Sequence, residues 1–130
     1  MSTNEFELTE IFPALPQVVF DAWMSSEKHG AMTGAKAKVE ARVGGAFTAW
    51  DGYLWGKTLE MERPRRIVQS WRTSEFPEDS PDSRLEILFE KVNGGTKLTL
   101  KHSNIPAEQV ESYRQGWDDS YFKPMKEYFK

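Results

Sequence analysis

Only two histidines, His29 and His102, occur in the chain, and they are the first residues to test for proton-transfer or metal chemistry. They lie far apart, outside any H-E-x-x-H spacing that would set two imidazoles on one helix face around zinc. Cysteine is absent, which removes thiolate nucleophiles, thiolate metal sites and disulfides together. No G-x-S-x-G elbow presents a serine as nucleophile. Gly44-Gly45 and Gly94-Gly95 fall between strand patterns, not before a helix where glycines cradle phosphate. Glu60 and Glu62 alternate on a strand face, and Asp118-Asp119 reads as a helix-surface pair. Paired carboxylates work as acid and base only where a pocket splits their pKa values. The residue chemistry therefore predicts no catalytic group, no metal and no cofactor.

The aromatic content carries more. Five tryptophans, four tyrosines and eight phenylalanines occur in 130 residues. Tryptophan favours places where an apolar body meets a polar rim, so the set predicts either an aromatic core or a lined cavity. The net charge is −3, with lysine and arginine scattered among acids, which argues against a nucleic-acid partner. Arg63, Arg65 and Arg66 surround Pro64 and read as a solvated turn. No apolar run approaches the roughly 20 residues of a membrane-spanning helix, so no membrane insertion is expected. Met1 to Glu10 has three glutamates and no basic stretch, so it is not read as a secretory leader. The expected location is cytoplasmic.

These side chains need a scaffold, and hydrophobic periodicity supplies one. Phe6, Leu8 and Phe12 alternate with polar residues in a first strand from Glu5 to Phe12. Pro16 opens a short helix over 16–24 bearing Val19, Phe20, Trp23 and Met24. Ser25 or Ser26 caps a second that ends at Gly34, with His29 on the surface. Period two then returns. Ala37, Val39, Ala41 and Val43 predict a strand, Gly44-Gly45 a turn or bulge, and Asp51-Gly52 a hairpin. Tyr53, Trp55, Leu59 and Met61 share one face of the next strand, and Ile67, Gln69 and Trp71 follow on another. After a loop over Ser74 to Ser83, Leu85, Ile87 and Phe89 pair through Asn93-Gly94-Gly95 with Leu98, Leu100 and His102. Pro106 opens a long helix whose stripe is Val110, Tyr113, Trp117, Tyr121 and Tyr128, with a kink expected near 120–124 from Pro124.

The fold class is therefore α+β, one domain over 1–130: a strand, two short helices, about six meandering strands and a long helix gripped by a curved antiparallel sheet. By strand parity Tyr53, Trp55, Trp71, Ile87, Phe89, Leu98, Leu100 and His102 share the concave face, opposed by Trp117 and Tyr121. A filled core and a partly open ligand pocket both fit this set. Trp117 is expected to line an existing void, so its truncation should cost less than the ~3–5 kcal/mol of a core tryptophan and alter ligand binding more.

An ordered set of motifs carries a resemblance. Residues 11–34 (IFPALPQVVFDAWMSSEKHGAMTG), Gly44-Gly45 with Phe47, and Gly56 to Arg72 with its proline turn resemble the START-like, or SRPBCC, superfamily. The ending Ile105-Pro106, Arg114-Gln115-Gly116-Trp117 and Tyr121-Phe122 is similar to the C-terminal domain of the activator of heat-shock protein 90 ATPase. The resemblance implies a helix-grip (Bet v 1-like) fold with a cavity between sheet and last helix. Functions in that superfamily range over lipid and polyketide binding, cyclase or hydrolase chemistry, and chaperone regulation in the stress response. The reading is a non-catalytic binder of a small apolar ligand, with a chaperone-interacting domain as the alternative. An enzyme is a third reading and rests on His102 alone. The eukaryotic activator has a separate N-terminal domain that these 130 residues do not contain, so weaker stimulation of a chaperone is expected.

Overall fold

The computed structural model describes residues 4–130; Met1 to Thr3, which belong to the leader reading above, lie outside the described residues. Strand β1 (Phe6–Phe12) is followed by helices α1 (Pro16–Trp23) and α2 (Ser26–Thr33). Strands β2 (Lys38–Val39), β3 (Ala46–Ala49), β4 (Leu54–Glu62), β5 (Arg66–Thr73), β6 (Ser83–Val92) and β7 (Gly95–Ser103) then meander. They form one antiparallel sheet in the order β1-β7-β6-β5-β4-β3-β2, so the first strand closes on the last. A 3₁₀ turn (Ala107–Gln109), helix α3 (Val110–Gly116), a π-helical segment (Trp117–Phe122) and helix α4 (Lys123–Tyr128) run on as one C-terminal helix. The α+β helix-grip architecture is the one expected. No described helix is long and apolar enough to cross a membrane.

Local chemistry fixes the short elements. Pro16 occupies the first turn of α1, where its missing N–H costs nothing. The Ser25 hydroxyl caps α2 by accepting from the Lys28 N–H at 3.2 Å, and Gly34 ends it at φ 82°, a conformation that favours glycine. The core lies between the sheet and the helices. Phe12, Phe20, Ile67, Leu85, Ile87, Leu98, Leu100 and Met125 are all buried there. Two ion pairs cross the layers at its edges: Arg63 holds Asp21 of α1 at 2.8 and 2.6 Å, and Lys126 of α4 reaches Glu10 of β1 at 3.0 Å.

The structure corrects three expectations, each through a break in periodicity. The strand over Ala37 to Val43 is only Lys38–Val39, because the chain turns at Glu40. There Arg42 N–H donates to Glu40 C=O, and the Glu40 carboxylate takes the Ala46 N–H at 2.8 Å. In β4, Leu59 is an extra residue: Thr58 pairs with Gln69 but Glu60 with Val68. The bulge shifts parity by one. Leu54, Gly56 and Thr58 face inward with Met61, while Trp55 (37% exposed) and Leu59 face solvent. Trp55 is thus removed from the concave face.

The third correction is in the last helix, where the expected kink is a π-helical segment just before Pro124. Its wider i→i+5 turn absorbs one residue and advances the apolar stripe by one. Phe122, Met125 and Phe129 are buried, and Tyr128, the residue that α-helical spacing selects, is exposed.

The inward turn of Gly56 has a cost that can be measured. A Cβ placed there would lie 1.9 Å from the Ser70 carbonyl oxygen and 2.9 Å from the Phe47 ring. Because backbone has to move, Gly56→Ala is expected to lose about 3 kcal/mol, the upper end of overpacking costs. Urea unfolding with an unchanged m-value checks it; a loss below about 0.5 kcal/mol would show that β4 and β5 separate freely there.

Candidate functional site

A half-open groove of about 340 Å³ lies between the β3–β4 turn and the C-terminal helix. Its sheet side is Trp50, Tyr53, Leu54 and Trp71; its helix side is Ser112, Tyr113, Gly116, Trp117, Ser120 and Tyr121. The volume is at the small end of the range for ligand pockets. Ser112, Gly116 and Ser120 recur every four residues, so one helix stripe is small, and a Cβ on Gly116 would meet nothing within 4 Å.

Of the ten candidate site residues, eight on the concave face and two on the helix, Tyr53, Trp71, Trp117 and Tyr121 border this groove. Ile87, Phe89, Leu98 and Leu100 are buried in the core beyond it, Phe89 edge-on to Phe20 with ring centroids 5.3 Å apart. Trp55 lies on the outer face. His102 is fully buried behind Trp71 and Trp117. The sequence reading missed Trp50, Leu54, Tyr113 and the small helix residues as groove neighbours. Tyr113 was already in the helical stripe, but Trp50 had no periodic signal because it sits in a turn.

Trp50 is held in an uncommon backbone state. Ala49 to Gly52 close a turn through Gly52 N–H to Ala49 C=O, with Trp50 at φ 53° and Asp51 at φ 57°. Left-handed backbone costs a bulky residue roughly 1–2 kcal/mol, so other contacts must hold it. Asp51 provides them: its N–H donates to Lys36 C=O at 3.0 Å, and its carboxylate accepts the Lys36 N–H at 3.1 Å. The turn then sets the Trp50 ring edge-on to Tyr121 at 6.5 Å.

Buried hydrogen bonds fix the remaining rings and settle both imidazole tautomers. The Ser83 hydroxyl donates to Trp71 C=O at 2.6 Å, so it must accept from His102 Nε2–H at 2.8 Å. His102 Nδ1 is then free to accept the Trp117 indole N–H at 3.0 Å. On the other side, His29 Nδ1–H donates to Trp23 C=O at 2.9 Å and Nε2 accepts the Tyr121 hydroxyl at 2.9 Å. His29 is therefore buried, not on the surface as its place before Gly30 suggested. Burial holds His102 down at about 3. His29 is lowered by burial too, opposed in part by its bond to the Trp23 carbonyl. Each is neutral with both ring nitrogens engaged, which leaves neither available as a base.

Around the mouth, Tyr113 donates to Gln109 Oε1 at 2.6 Å and takes the Thr73 hydroxyl at 2.6 Å, and Tyr53 donates to Glu75. Burial raises both phenols, so both stay protonated at neutral pH. Among the described residues no charged side chain lines the groove. Among the described residues no three His, Asp or Glu side chains cluster as metal ligands.

Comparison with known proteins now places the chain. The human activator of 90 kDa heat shock protein ATPase homolog 1 is 32% identical over 127 residues, 98% of this chain and 37% of that protein. An HSP90 activator from Plasmodium falciparum superposes with a TM-score of 0.87 at 28% identity, over 96% of this chain and 94% of its own. CalU16 from Micromonospora echinospora, at 23% identity, shares the fold with a TM-score of 0.81 over 97% of this chain and 76% of its own. The family model for Activator of Hsp90 ATPase homolog 1-like protein matches residues 13–130. The chain belongs to that family, on the START-like helix-grip fold.

Proposed function

We propose that this chain binds a chaperone of the 90 kDa heat shock class and raises its ATPase rate. The observation that carries the reading is the match along 127 residues to the human activator, although the chain spans only 37% of that protein. The surface supports a protein partner. Trp55 and Leu59 stand exposed on the outer face of β4. Val43, also exposed, precedes Gly44, whose N–H donates to Thr58 C=O at 2.7 Å next to Leu59 in the chain. Exposed aromatic and aliphatic side chains of this kind are the usual anchors of an interface.

The test is the ATPase rate of the chaperone from the same source, titrated with the chain. A saturable rise is expected, and Trp55→Ser should raise the half-maximal concentration about tenfold, the effect of losing one modest anchor. A flat titration, together with no binding by calorimetry, would remove the reading. A second reading rests on the groove: its size and aromatic walls suit a small neutral ligand. Occupancy there does not compete with the chaperone surface, since Trp55 and Leu59 lie on the opposite face of the sheet.

A further inference from the structure

The geometry points to a specific ligand class for the groove: a neutral, planar aromatic molecule carrying a hydrogen-bond acceptor, with the Trp71 indole N–H as its polar anchor. This rests on the reading of the groove as a ligand site and narrows it.

The inference starts from hydrogen-bond accounting. Trp71 is only 4% exposed, yet its Nε1–H has no acceptor among the described residues. Among the described residues no fully enclosed side-chain polar atom is left unpartnered, so this nitrogen meets open space. The open space that Trp71 borders is the groove. A largely buried donor facing an apolar recess costs free energy unless something accepts from it. The other ring donors deep in the groove are committed, Trp117 N–H to His102, Tyr121 O–H to His29 and Tyr113 O–H to Gln109, while the Ser112 and Ser120 hydroxyls on the helix side can add weaker polar contacts.

The walls decide the rest of the chemistry. Trp50, Tyr53, Trp71, Tyr113, Trp117 and Tyr121 present rings, which favour stacking with a flat π-system. With no cationic side chain in the lining, a carboxylate or phosphate would be buried unpaired. Six rings would attract an organic cation, but the free N–H is positive-ended and repels one. A carbonyl or ether oxygen on a planar aromatic satisfies both wall and donor. The Ser112-Gly116-Ser120 stripe leaves the helix side low enough for such a plane to lie along it.

The experiment uses two probes of matched shape, 2-acetylnaphthalene and 2-ethylnaphthalene, titrated by calorimetry and by NMR of the tryptophan indole N–H resonances. The acetyl probe is expected to bind about tenfold more tightly than the ethyl probe. It should also move the Trp71 indole proton downfield, which the ethyl probe should not. Trp71→Phe keeps a ring and loses the donor, so the two affinities should converge. Gly116→Leu points into open space and favours the helix, so it should remain folded and bind neither probe. Equal wild-type affinities with an unmoved Trp71 resonance would overturn the proposal while the groove stays a ligand site. No saturable binding of either probe would overturn both.

Discussion

Trp117→Ala is expected to cost about 4–5 kcal/mol, at the top of the range for truncating a buried tryptophan. Trp117 is 2% exposed, with Trp23 stacked at 6.1 Å, Trp71 at 5.6 Å and Tyr121 at 4.7 Å between ring centroids. The open groove touches one side of it, which alone would make the loss milder. Its other side is packed like core, and the indole N–H also satisfies His102 Nδ1. Truncation removes the packing and leaves that buried acceptor orphaned, so two penalties fall on one substitution. Trp117→Phe separates them: most packing survives but the donor to His102 Nδ1 is lost, and a loss of about 1–3 kcal/mol is expected. Denaturant unfolding at pH 7.5 measures both. A Trp117→Ala loss near 1 kcal/mol would mean that the neighbours collapse into the space, and Trp117 would then be lining and not core.

The second large effect is acid sensitivity well above the carboxylate range. In the unfolded chain both histidines take up a proton near their ordinary pKa of about 6.5. In the folded chain burial holds His102 at about 3, and burial lowers His29 as well. Between those values the unfolded state binds more protons, so stability is full above pH 6.5 and falls as pH falls. The slope is about 1.4 kcal/mol per pH unit for His102, giving about 2 kcal/mol at pH 5, and the lowered His29 adds loss in the same direction. The carboxylates with depressed values, Asp21, Glu60 and Asp119, act only below their own unfolded range, so the window from pH 6.5 to 5 belongs to the imidazoles. His102→Gln can still accept from Trp117 and donate to Ser83, and should remove about 1.4 kcal/mol per pH unit from the slope between pH 6.5 and 5. Equal free energies of unfolding at pH 7.5 and pH 5 would show that the interior admits a charged imidazole.

The elements could be read from the sequence because most of them announce themselves locally. Asn93-Gly94 between alternating runs defines the β6–β7 hairpin, and the inward set Leu85, Ile87, Phe89, Leu98, Leu100 and His102 follows from parity alone. The site was harder to read, for one recurring reason. A single inserted residue changes the phase of everything beyond it, and neither insertion has a local signature. Leu59 looks like an ordinary strand residue, so Trp55 was put on the wrong face. The π-helical turn has ordinary helical residues, so Tyr128 stood in for Phe129. His29 failed differently: its burial depends on Tyr121, a partner at the far end of the chain, and no window of local sequence contains both.

The stacked indoles also determine how the protein absorbs and emits light. Trp23, Trp117 and Trp71 form a continuous series with centroid spacings of 6.1 and 5.6 Å. At such spacings the transition dipoles of neighbouring rings couple, and excitation passes between them faster than it decays. The near-ultraviolet circular dichroism should therefore carry a signed couplet that disappears when Trp117, the middle ring, is replaced by phenylalanine. Emission from these three rings belongs to a shared chromophore, while Trp55, alone on the outer face, remains an independent reporter.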